Sequence, residues 1–600
     1  MSSVPPGLQI RGEKSPPGQM PASRGRGLFS TRSFAPGDEI AVFSKPLLVL
    51  PSGPDAATTC NHCLDPRRQP VKLCTGCRVI AYCGAACQRA HWSRCHKIEC
   101  KALQAAFASA AEAAAATPGG VVQPLPTPVR ALMLLILQWP RSADTRAAVD
   151  RLEGNTRAFL ANRTLWEDFK MQAAAACKFA SWFSEEQIKT AVEVLCRVHT
   201  NAFDRRDPDL GLSGVFLDTT LAMANHSCLP NAVVCFAGQS AFLRAQQPIA
   251  PGDEITISYI DWTKPRAARQ QGLVLYNFQC ACARCHDDLD VYEAAQISPV
   301  LSLNKISSSS SSSSSSPKVF SLVPDLELLR NPPVCRDGPH NVTPQQVEAM
   351  YATSHELLLD DEAALSVEER LAAIRRLWRN CRPLVDARRW AVEPLAQVVT
   401  LAIMHCIAVG NYAHLLAFAC FAAQHIDPYK FPAPFATWRV KGLLTMAKAI
   451  PHTLLLVMPA DLPASQGGDG GAAAREARGQ GPGQDKSAEA RSRIVDPRVL
   501  AVIEDLVDGG LYLALLKMVL HNGPLGHSAA WPPLDEARRL LANFEADPNQ
   551  KLSPSVSLVN EWFANPSAPK MVDFFEKQLL DPVNRLSALA PELLEALVKE

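Results

Sequence analysis

The segment from Cys60 to Cys100 contains eight of the 19 cysteines and constrains the fold more than any other part of the chain. Four short donor pairs follow one another in it: Cys60 with Cys63, Cys74 with Cys77, Cys83 with Cys87, and His96 with Cys100. Eight nitrogen or sulfur ligands suit two tetrahedral zinc ions. A segment this short cannot bury a hydrophobic core of its own, so metal must close its fold. The spacing therefore predicts a two-zinc module.

The other cysteines form one further group and a scatter. Four of them are Cys228, Cys280, Cys282 and Cys285, while the remaining seven stand singly in apolar segments. Free cysteine in such segments packs as a small hydrophobe. The first twenty residues lack the apolar stretch of a secretory signal, so we expect an intracellular protein whose thiols bind metal rather than form disulfides. The densest apolar runs, 131–139 and 454–458, are far shorter than the roughly 20 residues that cross a bilayer, and no membrane span is expected.

The overall charge indicates no electrostatic partner. The chain has 60 Lys and Arg against 59 Asp and Glu, a formal net charge of +1, and this balance attracts neither nucleic acid nor an anionic membrane. The cysteine segment is locally basic, but seven ligand thiolates and two zinc ions would reduce its formal charge to about +3. A peptide-binding module is therefore favoured over a DNA reader, and direct nucleic-acid binding is not expected.

Composition divides the chain into a split β domain and a helical C-terminal half. Strand-like stretches at 40–43 and 47–50 precede the cysteine segment, and a helical region near 128–198 separates them from further strands at 232–236, 241–243 and 255–259. The serine tract Ser307–Ser316 marks a boundary, and the glycine-rich stretch 466–491 is typical of a surface loop. Helix-start signals follow the boundary at Thr343 before Pro344 and at Ser366 with Glu369.

The cysteine segment resembles the MYND zinc finger in its spacing, in the step from Tyr82 to Cys83 and in Trp92 ahead of the last histidine. Ligand pairs interleave in that family. The resemblance implies that one zinc ion is bound by Cys60, Cys63, Cys83 and Cys87 and the other by Cys74, Cys77, His96 and Cys100. His91 and Cys95 are alternative ligands for the last positions. The resemblance also implies Pro-rich peptides as partners.

A second motif, N-H-S-C-L-P-N, occupies 225–231. Composition alone would identify it only as a turn. It is preceded by R-G-R-G-L at 24–28 and N-A-F at 201–203 and followed by D-E-I-T-I-S-Y at 253–259. In this order the four strings resemble the signature of SET-domain methyltransferases. The resemblance implies S-adenosylmethionine as the cofactor and a protein lysine as the methyl acceptor.

The same resemblance implies roles for particular residues. The cofactor pocket would be formed by Arg24, Gly25, Arg26, Asn201, Asn225, His226, Tyr259 and Phe278, with Phe278 stacked on the adenine ring. Glycines such as Gly25 let the backbone approach a ligand closely. Tyr259 stands where the family has its catalytic tyrosine, whose hydroxyl would orient a neutral lysine amine. Tyr276 is interpreted as a packing residue.

The second cysteine group completes the set of predicted metal sites. Cys280, Cys282 and Cys285 provide three thiolates, and Cys228 can supply a fourth from across the fold. In the SET family such a post-SET zinc site helps to form the substrate channel. The sequence therefore predicts three zinc ions, two in the MYND module and one in the post-SET segment.

The order of these segments resembles that of the SMYD-type protein-lysine methyltransferases, and specific motifs support the resemblance from roughly residue 20 to 290. It implies an α+β fold with a split β-rich SET domain and an α-helical, TPR-like C-terminal domain. The implied divisions are an N-terminal SET part (1–59), the MYND finger (60–100), a helical insertion (101–200), the SET core (201–264), the post-SET zinc segment (265–290), a linker (291–340) and the C-terminal domain (341–600).

Two functions agree with this order of segments. The first is an S-adenosylmethionine-dependent lysine methyltransferase that acts on a histone or another protein, in the cytosol or the nucleus. The alternative is an inactive SET and MYND scaffold that binds Pro-rich peptides. Intact Asn225, His226, Tyr259 and Phe278 favour the enzyme.

Overall fold

The structure is a computed structural model that describes residues 4–12, 25–207, 211–305, 318–323, 325–334, 341–357, 365–457, 495–548 and 553–599. Within these ranges two large hydrophobic cores account for most buried apolar side chains. One core joins the β elements, the cysteine segment and the helical insertion, and the other holds the C-terminal helices together. Arg24, the serine tract Ser307–Ser316 and the stretch 466–491 lie outside the described residues.

The N-terminal strands are β1 (Leu8–Arg11), β2 (Gly27–Ser30), β3 (Glu39–Phe43) and β4 (Leu48–Pro51). β1 and β2 pair with each other antiparallel, whereas β3 and β4 pair with strands that follow residue 200. The strands predicted at 40–43 and 47–50 are confirmed. The strands before residue 60 therefore belong to a β domain that only the strands after residue 200 complete.

The cysteine segment contains little regular structure. Its elements are β5 (Lys72–Leu73), β6 (Ala81–Tyr82), α1 (Ala85–His91) and a π-helical turn, Trp92–His96, that leads into α2 (Lys97–Ala115). β5 and β6 form an antiparallel pair. Because α2 begins at Lys97, His96 immediately precedes a long helix and Cys100 lies in its first turn. The last donor pair is thereby attached to the helical insertion.

The insertion continues with α3 (Thr127–Gln138), α4 (Ala143–Asp150), α5 (Thr156–Ala161), α6 (Arg163–Ala180) and α7 (Glu185–Asn201). α3 is buried on every side from Val129 to Ile136, as expected for a helix that is apolar all round. Ser184 and Gln187 form a capping box at the start of α7. α7 ends at Asn201, which belongs to the candidate functional site.

The β domain resumes with β7 (Phe203–Asp207), β8 (Gly211–Leu217), β9 (Asn225–His226), β10 (Ala232–Ala237), β11 (Ser240–Ala245) and β12 (Thr256–Ile257). Two three-stranded sheets, in the orders β4-β8-β7 and β10-β11-β3, combine strands from before and after the insertion. β9 and β12 pair in parallel. β12 ends two residues before Tyr259, earlier than the predicted strand at 255–259, because the Tyr259 N–H donates to the His226 imidazole instead of to a strand.

The segment after the β domain contains α8 (Arg266–Leu273), α9 (Ala283–His286), α10 (Val291–Gln296), a 3-10 turn at Pro299–Asn304 and α11 (Leu326–Arg330). Residues 291–340 are expected to be a linker, but the described part contributes Tyr292, Leu301, Phe320 and Leu322 to the C-terminal core. The apolar side chains on either side of the serine tract account for this packing.

The C-terminal half is helical as predicted, with α12 (Pro344–Leu357), α13 (Val367–Asn380), α14 (Arg382–Asp386), α15 (Leu395–Val409), α16 (Tyr412–His425), α17 (Asp427–Lys430), α18 (Thr437–Leu454), α19 (Pro497–Glu504), α20 (Gly510–Gly526), α21 (Pro532–Ala546), α22 (Pro554–Ala564), α23 (Pro569–Phe574) and α24 (Asp581–Lys599). The predicted capping box of Ser366 and Glu369 starts α13. α16 packs against α15, α18 and α24, so helices distant in sequence share one core.

The two halves meet around a cleft of about 1100 Å³. At one side the Trp262 indole N–H donates to the Lys430 carbonyl at 3.3 Å. Elsewhere between the two halves, Leu525 packs so closely on Gly37 that a Cβ at Gly37 would meet the Leu525 side chain at 3.1 Å. The C-terminal half therefore forms a wall of the cleft.

At Gly526, helix α20 lies directly against the backbone that precedes α18. Substitution of this glycine tests the packing. A Cβ at Gly526 would lie 2.0 Å from the Phe435 carbonyl oxygen. We expect Gly526→Ala to lower the free energy of unfolding by about 3 kcal/mol or more, measured by chemical denaturation. Gly442→Ala is the matched control, because its Cβ would meet nothing closer than 3.6 Å and alanine favours the helix by about 1 kcal/mol. Equal stability of the two variants would contradict the packing described.

Candidate functional site

Three groups of four donor residues stand out in the described chain. The first is Cys60, Cys63, Cys83 and Cys87; the second is Cys74, Cys77, His96 and Cys100; the third is Cys228, Cys280, Cys282 and Cys285. Within each group all donor atoms lie within 4.8 Å of one another. None of these cysteines forms a disulfide. Four converging sulfur or imidazole donors fit tetrahedral zinc, and the structure brings together the ligand sets that the sequence predicts.

His91 and Cys95, the alternative ligands, lie outside these groups. With Glu99 they form a fully buried trio of potential donors. His91 stacks on His96 with ring centroids 5.6 Å apart, and its Nδ1 lies 2.9 Å from the Tyr82 hydroxyl. Since Glu99 is already bound by Arg130 and His96, the trio is better described as packing around the second group than as a separate metal centre.

The second donor group is supported by a buried polar network. The Nε2 of His96 lies 3.3 Å from Cys74 Sγ, and its Nδ1 lies 3.1 Å from the Glu99 carboxylate. Arg130 of α3 donates to both Glu99 oxygens and, at 2.9 Å, to the amide oxygen of Asn61. The pKa of Glu99 falls to about 2, because the favourable interactions with Arg130 and His96 outweigh the cost of burial. A carboxylate that accepts from Nδ1 directs Nε2 toward the metal.

The third donor group includes Cys228 of the N-H-S-C-L-P-N motif at 225–231. Cys228 follows β9, and its sulfur lies 3.6 Å from that of Cys285 in α9. The Nε2 of His226 lies 3.3 Å from Cys228 Sγ. A metal in this group would therefore tie the segment 265–290 to the strand that carries Asn225 and His226.

One wall of a pocket is formed by the glycine-rich turn before β2. Gly25 has a φ of +68°, which favours glycine, and a Cβ on Gly27 would meet Glu254 Oε1 at 2.7 Å and Asn225 Nδ2 at 3.1 Å. The Asn225 amide donates to the Arg26 carbonyl at 3.0 Å and to Glu254 Oε1 at 2.7 Å. Glycine therefore allows the turn, Asn225 and Glu254 to lie in direct contact.

The helical insertion contributes to the same pocket through residues that the sequence reasoning missed. The Asn201 amide donates to the Glu153 carbonyl at 2.7 Å, and Arg26 forms an ion pair with Glu153 at 3.6 Å. Asn155, in the same loop, donates to the Tyr276 carbonyl at 3.4 Å. No local motif marks Glu153 or Asn155. Glu254 could have been found, since it belongs to the quoted string at 253–259.

Tyr259 lies at the centre of the site, where an aromatic cluster surrounds it. Its ring centroid is 4.7 Å from that of Tyr276, 5.4 Å from that of His226 and 6.4 Å from that of Phe278. Its hydroxyl donates to the Ala224 carbonyl at 2.7 Å. Burial raises the pKa of Tyr259, so its hydroxyl stays protonated. Tyr276 therefore lines the site in addition to packing in it.

His226 connects the aromatic cluster to the third donor group. Its Nδ1 accepts from the Tyr259 N–H at 3.0 Å, so the proton of the neutral ring is on Nε2, which faces Cys228. Burial lowers the pKa of His226 to about 4, which keeps the ring neutral at pH 7. The tautomer of His226 is thus determined by its two neighbours.

Tyr259 connects two sets of residues. His226 and Phe278, whose rings contact it, lie with Asn225 and Arg26 outside the lining of the cleft, whereas Asn201 lines that cleft together with Tyr259. The buried Nε of Arg26 has no hydrogen-bond partner among the described residues, so the set outside the cleft could bind a polar ligand that supplies one. The cleft between the two halves is also lined by Phe203, Tyr276, Trp262, Phe431 and Trp438. Tyr259 therefore lies both in the lining of the cleft and in contact with the rings of His226 and Phe278.

A search of the described residues found no helix both long and apolar enough to cross a membrane.

Comparisons with known proteins agree with this geometry. The SET domain family model matches residues 25–260. The SET domain and MYND-type zinc finger protein 6 of Schizosaccharomyces pombe is 31% identical over 44% of this chain and 50% of its own length. Histone-lysine N-methyltransferase ASHR1 of Arabidopsis thaliana is 30% identical over 44% of this chain and 53% of its own length. N-lysine methyltransferase SMYD2-B of Danio rerio is also 30% identical, over 44% of this chain and 58% of its own length.

The matched region spans about half of the length of these relatives. A solved structure, the SET domain of LSMT bound to lysine and AdoHcy, aligns with 13% identity over 69% of this chain and 89% of its own length. Its TM-score of 0.22 is too low to support an inference about this chain. The family-model match places a SET domain at residues 25–260, and the named relatives and the cysteine groups show that the chain is similar to SMYD-type proteins with SET and MYND domains.

Proposed function

We propose that this protein is an S-adenosylmethionine-dependent protein-lysine N-methyltransferase. The observation that carries the proposal is the position of Tyr259, which lines the cleft between the two halves and contacts the rings of His226, Tyr276 and Phe278. Methyl transfer to an amine is an in-line displacement, so the two substrates must approach from opposite sides of one point. The relatives named as lysine methyltransferases support the same reaction.

The cofactor would bind beside Tyr259. Arg26 and Gly25, with Arg24 before them in the sequence, would bind its methionine end. Asn201, Asn225 and His226 would complete the pocket, and Phe278 would stack on the adenine. The Nε of Arg26, which has no partner among the described residues, suits a carboxylate, and apart from its chain neighbours no atom lies within 4 Å of where a Cβ on Gly25 would be, so the backbone there is accessible. When bound, S-adenosylmethionine supplies an electrophilic methyl group. The protein's contribution is to orient it.

The methyl acceptor would reach the same point through the cleft. Phe203, Tyr276 and Tyr259 provide apolar and aromatic walls, and such surroundings disfavour the charged form of a lysine amine. The neutral amine has a lone pair for attack. The Ala224 carbonyl and the protonated Tyr259 hydroxyl are 2.7 Å apart, so together they offer an acceptor and an oriented oxygen beside the amine. The released proton can leave through the open cleft.

We further propose that three zinc ions bind the three donor groups, two in the MYND module and one in the post-SET segment. Each group holds four donors within 4.8 Å of one another, as tetrahedral zinc requires. Twelve ligands with eleven thiolates suit a reducing compartment, so we infer residence inside the cell, in the cytosol or the nucleus. The third ion would hold the 265–290 segment over the catalytic tyrosine.

The MYND module offers a surface for a second role, the binding of Pro-rich peptides. Leu73 of β5 and Trp92 are 49% and 43% exposed, although both are large apolar side chains. Proline-rich segments dock on exposed aromatic and apolar side chains because their conformation is already ordered. The alternative function, a scaffold without catalysis, would use this surface alone. The intact cluster around Tyr259 supports the enzyme instead.

Loss of the pocket residues should abolish cofactor binding. We expect calorimetric titration to detect S-adenosylmethionine binding to the zinc-loaded protein and no binding to an Asn225→Ala and Phe278→Ala double variant. Phe183→Ala is the matched control, since Phe183 is 72% exposed on the insertion, and it should bind as wild type does. A well-folded, zinc-loaded wild type that does not bind the cofactor would exclude the methyltransferase and leave the scaffold.

Removal of the Tyr259 hydroxyl should separate binding from catalysis. We expect Tyr259→Phe to keep its affinity for S-adenosylmethionine, because the aromatic packing stays, and to lose about 100-fold or more in methyl transfer, because the amine is no longer oriented. Mass spectrometry of a protein substrate found by screening measures the transfer. Undiminished transfer by Tyr259→Phe would contradict the role given to the hydroxyl.

The network behind the second donor group should determine how tightly that group holds zinc. Glu99→Gln keeps the volume but removes the charge that His96 and Arg130 share, and we expect the affinity of one zinc ion to fall about 10- to 100-fold. Competition with a chelator of known affinity measures this. Glu112→Gln, an exposed change on the same helix, should have no effect. Zinc retention by Glu99→Gln equal to that of wild type would show that the network does not support the metal.

A further inference from the structure

Arg269 of α8 is a buried cation without a carboxylate partner among the described residues. It is only 2% exposed and ranks among the largest fully buried side chains. Its Nη1 donates to the Lys264 carbonyl at 2.7 Å, its Nη2 lies 3.6 Å from Cys285 Sγ, and its Nε has no partner. Burying an unpaired charge is costly, so a nearby anion must compensate it.

A second buried arginine lies close to the same group. Arg284 is also 2% exposed and donates to the carbonyls of Trp262 and Leu289. It directly precedes the ligand Cys285 in α9. Two buried guanidinium groups therefore lie next to the third donor group. The hydrogen bonds of Arg284 among the described residues go to backbone carbonyls.

The third donor group provides the missing negative charge once it binds zinc. Four thiolates and one divalent ion carry a net charge of about −2, which two arginines can balance. Arg269 contributes an N–H donor as well as a charge. Metal-bound sulfur atoms are stabilised by such hydrogen bonds from residues that do not themselves touch the metal.

His226 supplies a second N–H donor from the opposite side. Its Nε2 lies 3.3 Å from Cys228 Sγ, while its Nδ1 accepts from the Tyr259 N–H at 3.0 Å. A thiolate at Cys228 holds the Nε2 proton in place and leaves Nδ1 free to accept. The metal-bound sulfur is thereby connected through one imidazole to the backbone of Tyr259.

We propose that Arg269 and His226 are positioning residues that stabilise the third zinc site by N–H···S hydrogen bonds and charge balance, and that they couple metal occupancy to the placement of Tyr259. The role of Tyr259 in this inference rests on the proposed function. The stabilisation of the metal by Arg269 does not.

The test uses the full-length, metal-loaded protein and compares Arg269→Gln with wild type. We expect a colorimetric chelator to remove one zinc ion about 10- to 100-fold faster from the variant, while the other two ions leave at wild-type rates. In protein loaded with cadmium-113, one of three NMR resonances should shift and two should stay. Unchanged release together with three unchanged resonances would overturn the proposal.

Arg370→Gln is the matched control, because Arg370 is also buried and its Nη atoms donate only to the Leu365 and Met404 carbonyls in the C-terminal half. It should release all three zinc ions at wild-type rates. Equally fast release from this variant would mean that loss of any buried arginine loosens the metal, and the specific role of Arg269 would be rejected.

A second variant keeps the test decisive if Arg269→Gln does not fold. Arg269→Lys retains the charge but not the forked donor, so it should shift the same cadmium resonance and release zinc at an intermediate rate. An unshifted resonance would overturn the proposal. S-adenosylhomocysteine titrations on the same samples separate the two hypotheses: a wild type that binds no cofactor contradicts the proposed function, whereas the metal measurements need no cofactor.

Discussion

The parallel pairing of β9 with β12 is the constraint on which the site depends. It places Asn225 opposite Thr256 and His226 opposite Ile257, and the Ser227 N–H extends the pairing to the Ile257 carbonyl at 2.9 Å. Each strand contributes only two residues, too few to be stable alone. Asn231 strengthens the junction, because its amide donates to the Glu254 carbonyl and its oxygen accepts from the Thr256 N–H. Asn225, His226, Cys228 and Tyr259 are thus positioned by one pair of strands.

Charge, together with the proposed metals, would supply the stability that such short strands lack. Buried arginines lie beside two of the cysteine groups, Arg130 from α3 of the helical insertion and Arg269 from α8 of the same segment as Cys280, Cys282 and Cys285. Each cation is costly to bury without the negative charge beside it, and each negative group is costly without the cation. The second donor group is therefore not independent of the helical insertion, because Arg130 of α3 is bound to Glu99 beside it. Zinc bound in the second and third donor groups would be stabilised by the same balance of charge.

Local sequence motifs, with the families that they resemble, predicted the candidate-site residues that stand within those motifs. The resemblance implied the ligand sets that the structure brings together, including Cys228 from across the fold, and it implied pocket roles for Asn201, Asn225, His226 and Tyr259. The contacts that the sequence did not indicate are those of residues outside any motif. Glu153 contacts Asn201 and Arg26 from a loop without a motif, and Arg130 donates to Glu99 from a helix whose other residues between Val129 and Ile136 are apolar. The segment 291–340 was predicted to be a linker because it contains the low-complexity serine tract. The apolar residues on either side of that tract, which pack in the C-terminal core, carried less weight in the prediction.

The C-terminal half contributes residues to the cleft through which, under the proposed function, a substrate would enter. Lys430, Phe431 and Trp438 line it, and Lys430 is held by Glu393, whereas no residue of the 60–100 segment lines it. Under the proposed function, a protein segment that carries a target lysine would contact helices of the C-terminal half before the lysine reaches Tyr259. Trp438 is 54% exposed, so it is available for that contact. A peptide bound to Leu73 and Trp92 of the MYND module would lie outside the cleft, so partner capture and substrate entry can occur on different surfaces of the same molecule.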